Sequence, residues 1–243
     1  MPQRILLIGG SGGIGTALAT LLVAGGDRVF LAARSAERLA PLAATLDMPF
    51  ATVDACDPDA IDACADQAAT SLGGLDGVVN CAGSLLLKPA HLTTTAEWQA
   101  TLAANLSSAF GCVRAAGRLL KAQGGSVVLV SSAAARVGIA NHEAIAAAKA
   151  GVIGLVLSAA ATYARQGVRF NAVAPGLVRT PLTRGLVASE QAEKASLGMH
   201  PLGRLGEPGD VARAIAFLLD PPQSWITGQV LGVDGGLADL KAR

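Results

Sequence analysis

The segment Gly9-Gly10-Ser11-Gly12-Gly13-Ile14-Gly15 follows an apolar run at 4–8 and leads into a helix-forming stretch from Thr16. Glycines here allow a tight turn and a close approach of the backbone to a pyrophosphate, while the first amides of the next helix stay free to bind an anion. A plain tight turn is the alternative. The position of the segment directly after a strand at the start of the chain favours a dinucleotide-binding loop.

Short Val/Ile/Leu-rich runs alternate with Ala/Leu-rich stretches of helical length along the whole chain, a pattern typical of βαβ units. Strands are predicted near 4–8, 28–32, 50–53, 76–80, 126–130, 168–173 and 230–233. The runs are almost continuously apolar, as expected when helices cover both faces of a parallel sheet. The sequence therefore predicts one α/β domain over 1–243, a Rossmann-like, doubly wound parallel sheet in three αβα layers.

One long irregular stretch, about 177–208, interrupts this pattern and contains Pro181, Pro201 and Pro208. Long segments without regular structure are uncommon inside a compact domain and often serve as lids or binding loops. We expect 177–208 to form a substrate lid, and it is called the lid segment below.

The composition favours a globular protein with a small-molecule partner. The chain has 243 residues, of which 51% are hydrophobic and 15% charged, and its net charge of +1 gives no footprint for nucleic acid or an anionic membrane. Apolar runs such as 151–161 fall short of the roughly 18 residues of a membrane span. Residues 1–8 show no cleavable signal, and the four cysteines lack metal-ligand spacing. These features predict reduced thiols, no metal site and a cytoplasmic location.

The end of the second predicted strand sets the expected choice of dinucleotide. An acid there binds the ribose of NAD, whereas an arginine suits the 2′-phosphate of NADP. The sequence Ala33-Arg34-Ser35 offers no acid and one arginine, with the Ser35 hydroxyl beside it. This favours NADP(H), and leaves NAD(H) open because Arg34 is alternatively a solvated loop residue and Gly12 stands where a second base often lies in the loop.

With these pieces in order, the whole chain resembles the short-chain dehydrogenase/reductase family of the one-domain type. The motifs that carry the resemblance are the phosphate loop with Gly9, Ser11, Gly13, Ile14 and Gly15, Asp54-Ala55-Cys56-Asp57, Asn80-Cys81-Ala82-Gly83, Asn105, Pro175-Gly176-Leu177-Val178-Arg179-Thr180, Ile226-Thr227-Gly228-Gln229 and Val233-Asp234-Gly235-Gly236. The resemblance implies that Asp54 contacts the adenine, that Asn80, Ala82 and Gly83 line the cofactor, and that Pro175, Gly176, Val178 and Thr180 hold the nicotinamide end.

The resemblance also locates the catalytic residues. It implies that Ser132 binds the substrate carbonyl, that Lys149 holds the nicotinamide ribose, and that Asn105 holds a proton-relay water. The family places its proton-donating tyrosine four residues before the lysine, where this chain has Ile145. Its only tyrosine, Tyr163, is fourteen positions beyond Lys149 and is too far along the helix to replace it.

Two other proton donors can be derived from the residues around Ile145. If the helix begins near Asn141, His142 shares a face with Ile145 and Lys149, and histidine suits acid–base chemistry near neutral pH. Alternatively, Asn141 caps the helix and His142 is an exposed first-turn residue. The other proton donor is a water held by Ser132 and Lys149.

Three functions remain compatible with the sequence. The first is an NADP(H)-dependent oxidoreductase that interconverts a carbonyl and a secondary alcohol with an atypical proton donor. The second is a non-catalytic NADP(H)-binding relative that acts as a sensor or partner subunit. The third is an isomerase or lyase step that uses Lys149.

The expected substrate and assembly follow from apolar and small residues. A neutral apolar ketone or alcohol would suit the predicted pocket wall, although Arg179 or Arg184 is placed to meet a carboxylate, and the lid leucines are alternatively packing residues. The residues expected to form the wall are Ser84, Leu85, Leu86, Leu87, Ala133, Ala134, Ile145, Leu177, Leu182 and Leu186. Ala146, Ala150, Gly154 and Ala161 suit close helix packing, either within the monomer or in the homo-oligomer, dimer or tetramer, that the resemblance implies.

Overall fold

The computed structural model describes residues 2–241. The strands are β1 (Arg4–Ile8), β2 (Arg28–Ala33), β3 (Phe50–Thr52), β4 (Gly77–Asn80), β5 (Gly125–Val130), β6 (Val168–Pro175) and β7 (Val230–Val233). The helices are α1 (Gly13–Ala24), α2 (Ala36–Leu46), α3 (Pro58–Leu72), α4 (Thr95–Leu102), α5 (Ser108–Leu119), α6 (Glu143–Tyr163), α7 (Glu190–Gly198) and α8 (Pro208–Leu219).

All seven predicted strands are confirmed, and all pair in parallel in the order β3-β2-β1-β4-β5-β6-β7. Successive strand residues point to opposite faces: Leu6 and Phe30 pack with α3, α5 and α6, whereas Leu7 and Leu31 pack with α1, α2 and α8. Both faces are buried, which explains why the strands are apolar throughout. The doubly wound three-layer fold is therefore confirmed.

The strand order reverses between β1 and β4, and this reversal opens a crevice at the carboxyl edge of the sheet. Ile8 pairs with Ala32 on one side and with Asn80 on the other, so the three strands end level. In open α/β sheets, ligands bind at such a switch point, outside the carboxyl ends of the strands. The phosphate loop and the segment after β4 both begin here.

The lid segment is more regular than its sequence suggested. It contains a 3₁₀ turn at Arg184–Val187 and the nine-residue helix α7. The Ser189 hydroxyl caps α7 by accepting a hydrogen bond from the Ala192 amide at 3.2 Å, and Glu190 and Glu193 favour the helix N-terminus electrostatically. The prolines bound this helix rather than break the whole segment.

One helix is longer and more apolar than the sequence analysis allowed. Glu143–Gln166, which comprises α6 and the 3₁₀ turn after it, has 24 residues and passes the length and composition of a membrane span. Its buried face lies in the core, however, with Val152 and Val156 packed on the sheet. Its apolar character is accounted for by that packing, as in the core helix of a globular α/β protein.

The four cysteines are free thiols, and Cys64 and Cys112 are buried in the core. Burial raises the pKa of the Cys64 thiol to about 11 and that of Cys112 further in the same direction. Cys56 and Cys81 are half-buried. Within residues 2–241, no group of three His, Cys, Asp or Glu side chains is arranged to hold a metal ion.

Candidate active site

The phosphate loop folds tightly against the start of the segment after β4. Gly9 has a φ of +83°, and a Cβ there would lie 2.5 Å from the Ala82 nitrogen. A Cβ on Gly15 would collide with the Gly9 carbonyl oxygen. The Gly9 and Gly10 amides both donate to the Ala32 carbonyl, at 2.7 and 3.0 Å. Because any side chain at position 9 or 15 would collide with the backbone, glycine at both positions allows β1, the loop and α1 to pack this closely.

The loop presents an anion-binding helix N-terminus. The N-cap residue Gly12 has no side chain, and its own amide donates to the Gly9 carbonyl at 3.0 Å. The amides of Gly13, Ile14 and Gly15 open α1 and therefore have no intrahelical partner. Three free N–H groups at the positive end of a helix fit a pyrophosphate, so this chain can hold a dinucleotide here.

A second arginine lies beside the loop, and the sequence analysis missed it. Arg34 follows β2 and is exposed, and Ser35 caps α2 by accepting from the Arg38 amide at 3.3 Å. The Arg38 guanidinium reaches back across 27 residues to donate to the Ser11 carbonyl at 3.0 Å. A base therefore borders the phosphate loop although Gly12 lacks a side chain. The capping Ser35 signals the start of α2, but the contact of Arg38 with Ser11 depends on how α2 packs beside the loop.

Asp54 and Asn80 both fix the backbone at the ends of their strands. The exposed Asp54 carboxylate accepts from the Cys56 amide at 3.0 Å. Asn80 is buried, accepts from the Ala82 amide at 3.0 Å and donates to the Ser108 hydroxyl at 3.1 Å. Because the side-chain oxygen and nitrogen of Asn80 both form hydrogen bonds within the chain, Asn80 shapes the turn that carries Ala82 and Gly83.

The Pro175–Thr180 turn faces the phosphate loop across the crevice. The Gly176 amide donates to the Val233 carbonyl at 3.2 Å, which ties the turn to β7. A Cβ on Gly13 would lie 2.8 Å from Cγ2 of Thr180, so the loop and the turn are in direct reach. We call the space between them the cofactor groove.

Ser132 and Lys149 meet at the carboxyl end of β5. Lys149 is only 7% exposed, and its ammonium donates to the Val130 carbonyl at 2.8 Å. The Ser131 hydroxyl donates to the Lys149 carbonyl at 2.9 Å and so joins α6 to β5. The half-buried Ser132 hydroxyl accepts from the Ala134 amide at 3.1 Å and keeps its own proton available.

Asn105 joins this group from a π-helical turn, Ala103–Ser107, between α4 and α5. Such turns often occur at functional sites. The Asn105 amide donates to the Ser84 hydroxyl at 3.1 Å and to the Thr101 carbonyl at 2.9 Å. A Cβ on the exposed Gly83 would lie 2.8 Å from Asn105 Oδ1 and 3.5 Å from Lys149 Nζ. Asn105 and Lys149 therefore flank one open space beside Gly83.

Lys149 is buried without a carboxylate partner in residues 2–241. Burial lowers its pKa to about 8, because the charged ammonium loses solvation. The neighbouring Cys81 thiol has a pKa raised to about 12 by burial, so it stays protonated and offers the lysine no counter-charge. Burial thus brings the pKa of Lys149 closer to neutral pH than that of an exposed lysine.

Ile145 and His142 lie at the start of α6. Ile145 is 3% exposed, one turn before Lys149, and belongs to neither core cluster flanking the sheet. Helix α6 begins at Glu143, with His142 at the N-cap and Asn141 in the left-handed region at φ +63°. The expectation that Asn141 caps the helix was wrong. The half-buried His142 ring bonds through Nδ1 to the Ala140 carbonyl at 2.7 Å.

Tyr163 is excluded as a proton donor, as the sequence predicted. It is the last residue of α6, about 21 Å along the helix axis from Lys149 at 1.5 Å per residue. Its ring packs on Phe170 in β6, with centroids 5.5 Å apart.

A cavity of about 1250 Å³ opens at the opposite edge of the sheet and contains none of the predicted site residues. Its charged residues are satisfied within the chain: Arg4 pairs with Asp76 at 2.7 Å, and Arg169 donates to the Leu218 carbonyl at 2.9 Å. The carboxyl edge, where the glycine loop and Lys149 meet, is therefore the better candidate.

Known proteins are similar to this chain in both sequence and architecture. A family model described as "Enoyl-(Acyl carrier protein) reductase" matches residues 9–238. Cis-4-hydroxycyclohexanecarboxylate dehydrogenase of Sinomonas cyclohexanicum is 40% identical over 241 residues, covering 96% of each chain. A short-chain type dehydrogenase/reductase from Mycobacterium ulcerans has a TM-score of 0.94 at 30% identity, covering 100% of this chain and 93% of that one. The chain belongs to the short-chain dehydrogenase/reductase family.

A further solved structure, ElxO with NADP bound, has a TM-score of 0.91 at 29% identity and covers 99% of this chain and 100% of that one. As a short-chain dehydrogenase/reductase, the present chain is an oxidoreductase that binds a nicotinamide cofactor and acts on a small molecule. The phosphate loop and the Pro175–Thr180 turn are where this fold would hold that cofactor.

One further residue of this short-chain dehydrogenase/reductase escaped the sequence analysis. His200 follows α7 in the lid segment and is 3% exposed. Its Nε2 accepts from the Leu177 amide at 3.1 Å, and its Nδ1 donates to the Ser196 carbonyl at 2.7 Å. A single histidine in a polar stretch carries no periodic signal, so its burial depends on tertiary contacts.

Proposed function

We propose that this protein is an NADP(H)-dependent oxidoreductase that interconverts a carbonyl and a secondary alcohol, with Lys149 as its proton source in place of a tyrosine. The observation that carries the proposal is the buried, unpaired Lys149 ammonium, which lies beside Gly83 and Asn105 at the carboxyl end of β5. A site that only bound nucleotide would not need Ser132, Asn105 and Lys149 together.

The bound cofactor would supply the hydride that the carbonyl carbon receives during reduction. The Ser132 hydroxyl is free to donate to the carbonyl oxygen and so stabilises the negative charge that develops there. Lys149 makes one hydrogen bond to Val130 and retains two N–H groups for a substrate or a bound water. An amine with a pKa of about 8 is well matched to proton transfer near neutral pH.

Lys149 is better placed for this role than His142. Lys149 Nζ lies in the space beside Gly83, whereas His142 sits at the helix N-cap and uses Nδ1 to bind the Ala140 carbonyl. Ile145 lies between His142 and Lys149 in the sequence. We propose that it occupies the position of the family's tyrosine, where its buried side chain has no proton to donate. The lysine, directly or through a water that it holds, is therefore the proposed donor.

The proposal is tested by NADPH fluorescence titration followed by a turnover screen over neutral and anionic ketones. Binding together with measurable reduction supports the oxidoreductase. Binding without turnover of any ketone would instead support the non-catalytic alternative, a sensor or partner subunit. The same screen includes isomerisation and elimination substrates, because a lyase or isomerase step at Lys149 would consume no NADPH.

The pH dependence of turnover follows from the lowered pKa of Lys149. Below about pH 8 the ammonium carries the proton that reduction requires, and above it the neutral amine does not. We expect the rate of ketone reduction to fall about tenfold per pH unit above about pH 8, and the rate of alcohol oxidation to rise through the same range. Stopped-flow measurement of NADPH consumption between about pH 6 and about pH 10 checks this.

Lys149→Arg provides the control for this pH dependence, since a guanidinium keeps its charge over the whole range. Its profile should be flat above about pH 8, at a lower absolute rate. A native reduction rate that stays constant to about pH 10 would contradict the assignment of Lys149 as the proton source.

Two guanidinium groups support the preference for NADP(H). Arg34 is exposed at the end of β2, and Arg38 extends along the phosphate loop to Ser11, so both border the place expected for the adenosine ribose. Glu37, in the first turn of α2, is the acid nearest to them in sequence. A 2′-phosphate dianion would form charge-assisted hydrogen bonds with the arginines that a hydroxyl group would not.

We expect Arg34→Ala to weaken NADPH binding by about 10- to 100-fold and to leave NADH binding nearly unchanged. A hydrogen bond to a charged group contributes about 1.5–3 kcal/mol, which corresponds to that range. Arg38→Ala should act in the same direction, because its guanidinium borders the same site. Isothermal titration calorimetry with both dinucleotides provides the measurement.

Arg165→Ala is the matched control, since Arg165 is exposed at the opposite edge of the sheet and changes the net charge equally. Equal affinity of the native protein for NADPH and NADH would show that neither Arg34 nor Arg38 selects the cofactor.

The proposed substrate is a neutral, largely apolar ketone or secondary alcohol. Ser84 to Leu87 are half-buried near the site, and Leu182 of the lid segment is 57% exposed. Arg179 is already paired with Glu193 and lies 3.6 Å from Glu207, so it is not free for a carboxylate. The Sinomonas relative is named for a cyclic alcohol that bears a carboxylate. Cyclohexanone and 4-oxocyclohexanecarboxylate therefore make an informative pair, and Arg184, exposed in the lid segment, is a cation available to the carboxylate of the second.

We also propose a homo-oligomer, a dimer or tetramer, in the cytoplasm. Ala150, Gly154 and Ala161 of α6 are exposed, and a Cβ on Gly154 would meet no other atom within 4 Å. These residues do not pack inside the monomer, so their small side chains are available to a second helix. The free thiols suit a reducing compartment.

A further inference from the structure

The ring of His200 lies where the lid segment meets the Pro175–Thr180 turn. It packs against the backbone on both sides: a Cβ on Gly176 would lie 2.7 Å from His200 Nε2, and one on Gly235 would lie 3.6 Å from His200 Cβ. His200 therefore touches the end of β6, the segment after β7 and, through Ser196, helix α7. The ring is buried, and the reaction described above does not use it.

The two ring nitrogens have different and complementary partners. The Leu177 amide donates to Nε2 at 3.1 Å, so Nε2 carries no proton. Nδ1 carries the proton and donates to the Ser196 carbonyl at 2.7 Å. This neutral tautomer is the only one that satisfies both backbone groups.

Leu177 is fixed to the same part of the lid segment through its carbonyl as well. The Gly206 amide donates to the Leu177 carbonyl at 3.0 Å, and the Arg179 amide donates to the Gly206 carbonyl at 2.8 Å. Val178, the residue between them, is 4% exposed. Hydrogen bonds to residues 200–206 thus set the conformation of the turn that carries Val178 and Thr180. Along the chain, the first of these hydrogen bonds is the one from the Leu177 amide to His200.

We propose that His200 is a positioning residue that holds the Leu177–Thr180 backbone in the conformation that receives the nicotinamide end of the cofactor. This inference rests on the proposed function, because it assigns Val178 and Thr180 to that end. His200 itself does not touch the reacting atoms. Loss of its acceptor would leave the half-buried Leu177 amide without its partner and would loosen the turn without changing the phosphate loop.

Three substitutions separate the two hydrogen bonds of the ring. His200→Gln keeps a side-chain oxygen long enough to accept from Leu177, His200→Asn keeps an amide that can donate to Ser196 but is too short to reach Leu177, and His200→Leu keeps neither. His91→Leu is the control, because His91 is exposed in the 3₁₀ turn before α4 and lies outside these contacts.

Calorimetric titration with NADPH and with 2′,5′-ADP, which lacks the nicotinamide half, distinguishes the two ends of the groove. We expect the Asn and Leu variants to bind NADPH about tenfold more weakly and 2′,5′-ADP like the native protein, with the Gln variant near native for both. Amide hydrogen exchange of the ligand-free proteins supplies a second measurement. Exchange at 177–180 should be faster in the Asn variant than in the Gln variant.

Native NADPH affinity and native exchange at 177–180 in the Asn variant would overturn the proposal. So would an equal loss of both ligands in the Asn variant, because a general weakening of the fold would then be responsible. If the native protein bound neither ligand, the proposed function would fail, whereas the exchange comparison between Asn and Gln would still decide whether His200 holds the turn.

Discussion

Ile145→Tyr is expected to raise the rate of ketone reduction, and by about 10²-fold or more at neutral pH if Lys149 alone is a poor proton donor. A positioned general acid contributes about 10²- to 10⁴-fold to such a step. Ile145 lies one helical turn before Lys149, so a phenol there would come close to the ammonium, which favours the phenolate and lowers the phenol pKa. Single-turnover reduction of a ketone with pre-bound NADPH measures the chemical step directly.

Ile145→Phe distinguishes the effect of the tyrosine hydroxyl on the reduction rate from the effect of the aromatic ring. Phenylalanine fills the same space as tyrosine, so any gain from a reshaped pocket should appear in both variants. A Tyr variant that reduces ketones no faster than the Phe variant would show that the site does not use a phenol. Lys149, directly or through a water that it holds, would then remain the proposed proton donor of the native site.

His142→Ala in both backgrounds tests the competing donor. If Lys149 supplies the proton, as proposed, the substitution should leave the reduction rate unchanged, because the His142 ring is bonded at the N-cap. If the rate fell in the native background and not in the Ile145→Tyr background, His142 would be the acid and the phenol its replacement.

The strands and the glycine loop were predictable because local rules determine them. Continuous apolar runs specify buried parallel strands, and Gly9, Gly13 and Gly15 satisfy steric demands that act over a few residues. The strand order, and with it the meeting of the motifs at the carboxyl edge of the sheet, came from the structure.

Other features depended on contacts between distant residues, which the sequence does not display. Arg38 reaches Ser11 only because α2 packs beside the phosphate loop, and His200 is buried only because the lid segment folds back on β6. Helix α7 had a local signal in Ser189 with Glu190 and Glu193, but the prolines around it concealed this signal. The lowered pKa of Lys149 likewise depends on burial, which is a tertiary property.

Gly13→Val is expected to weaken NADPH binding by at least about 10²-fold, and the structure supplies a more specific reason than a blocked pyrophosphate. A Cβ on Gly13 would lie 2.8 Å from Cγ2 and 3.0 Å from Cβ of Thr180, and 3.4 Å from Pro181. The added side chain must therefore displace the Thr180 side chain, which faces the phosphate loop across the cofactor groove. Both this displacement and the side chain's own bulk oppose a pyrophosphate at the N-terminus of α1.

Thr180→Ser in the Gly13→Ala background identifies the cause. It removes the Cγ2 atom nearest to the new side chain and keeps the hydroxyl group. If contact with Thr180 is responsible, the double variant should recover most of the NADPH affinity that Gly13→Ala loses, measured by calorimetry with circular dichroism as the check on folding. If affinity does not recover, the added carbon acts on the pyrophosphate itself. If Gly13→Val binds NADPH like the native protein, the loop is only a turn, and the dinucleotide site must be sought elsewhere.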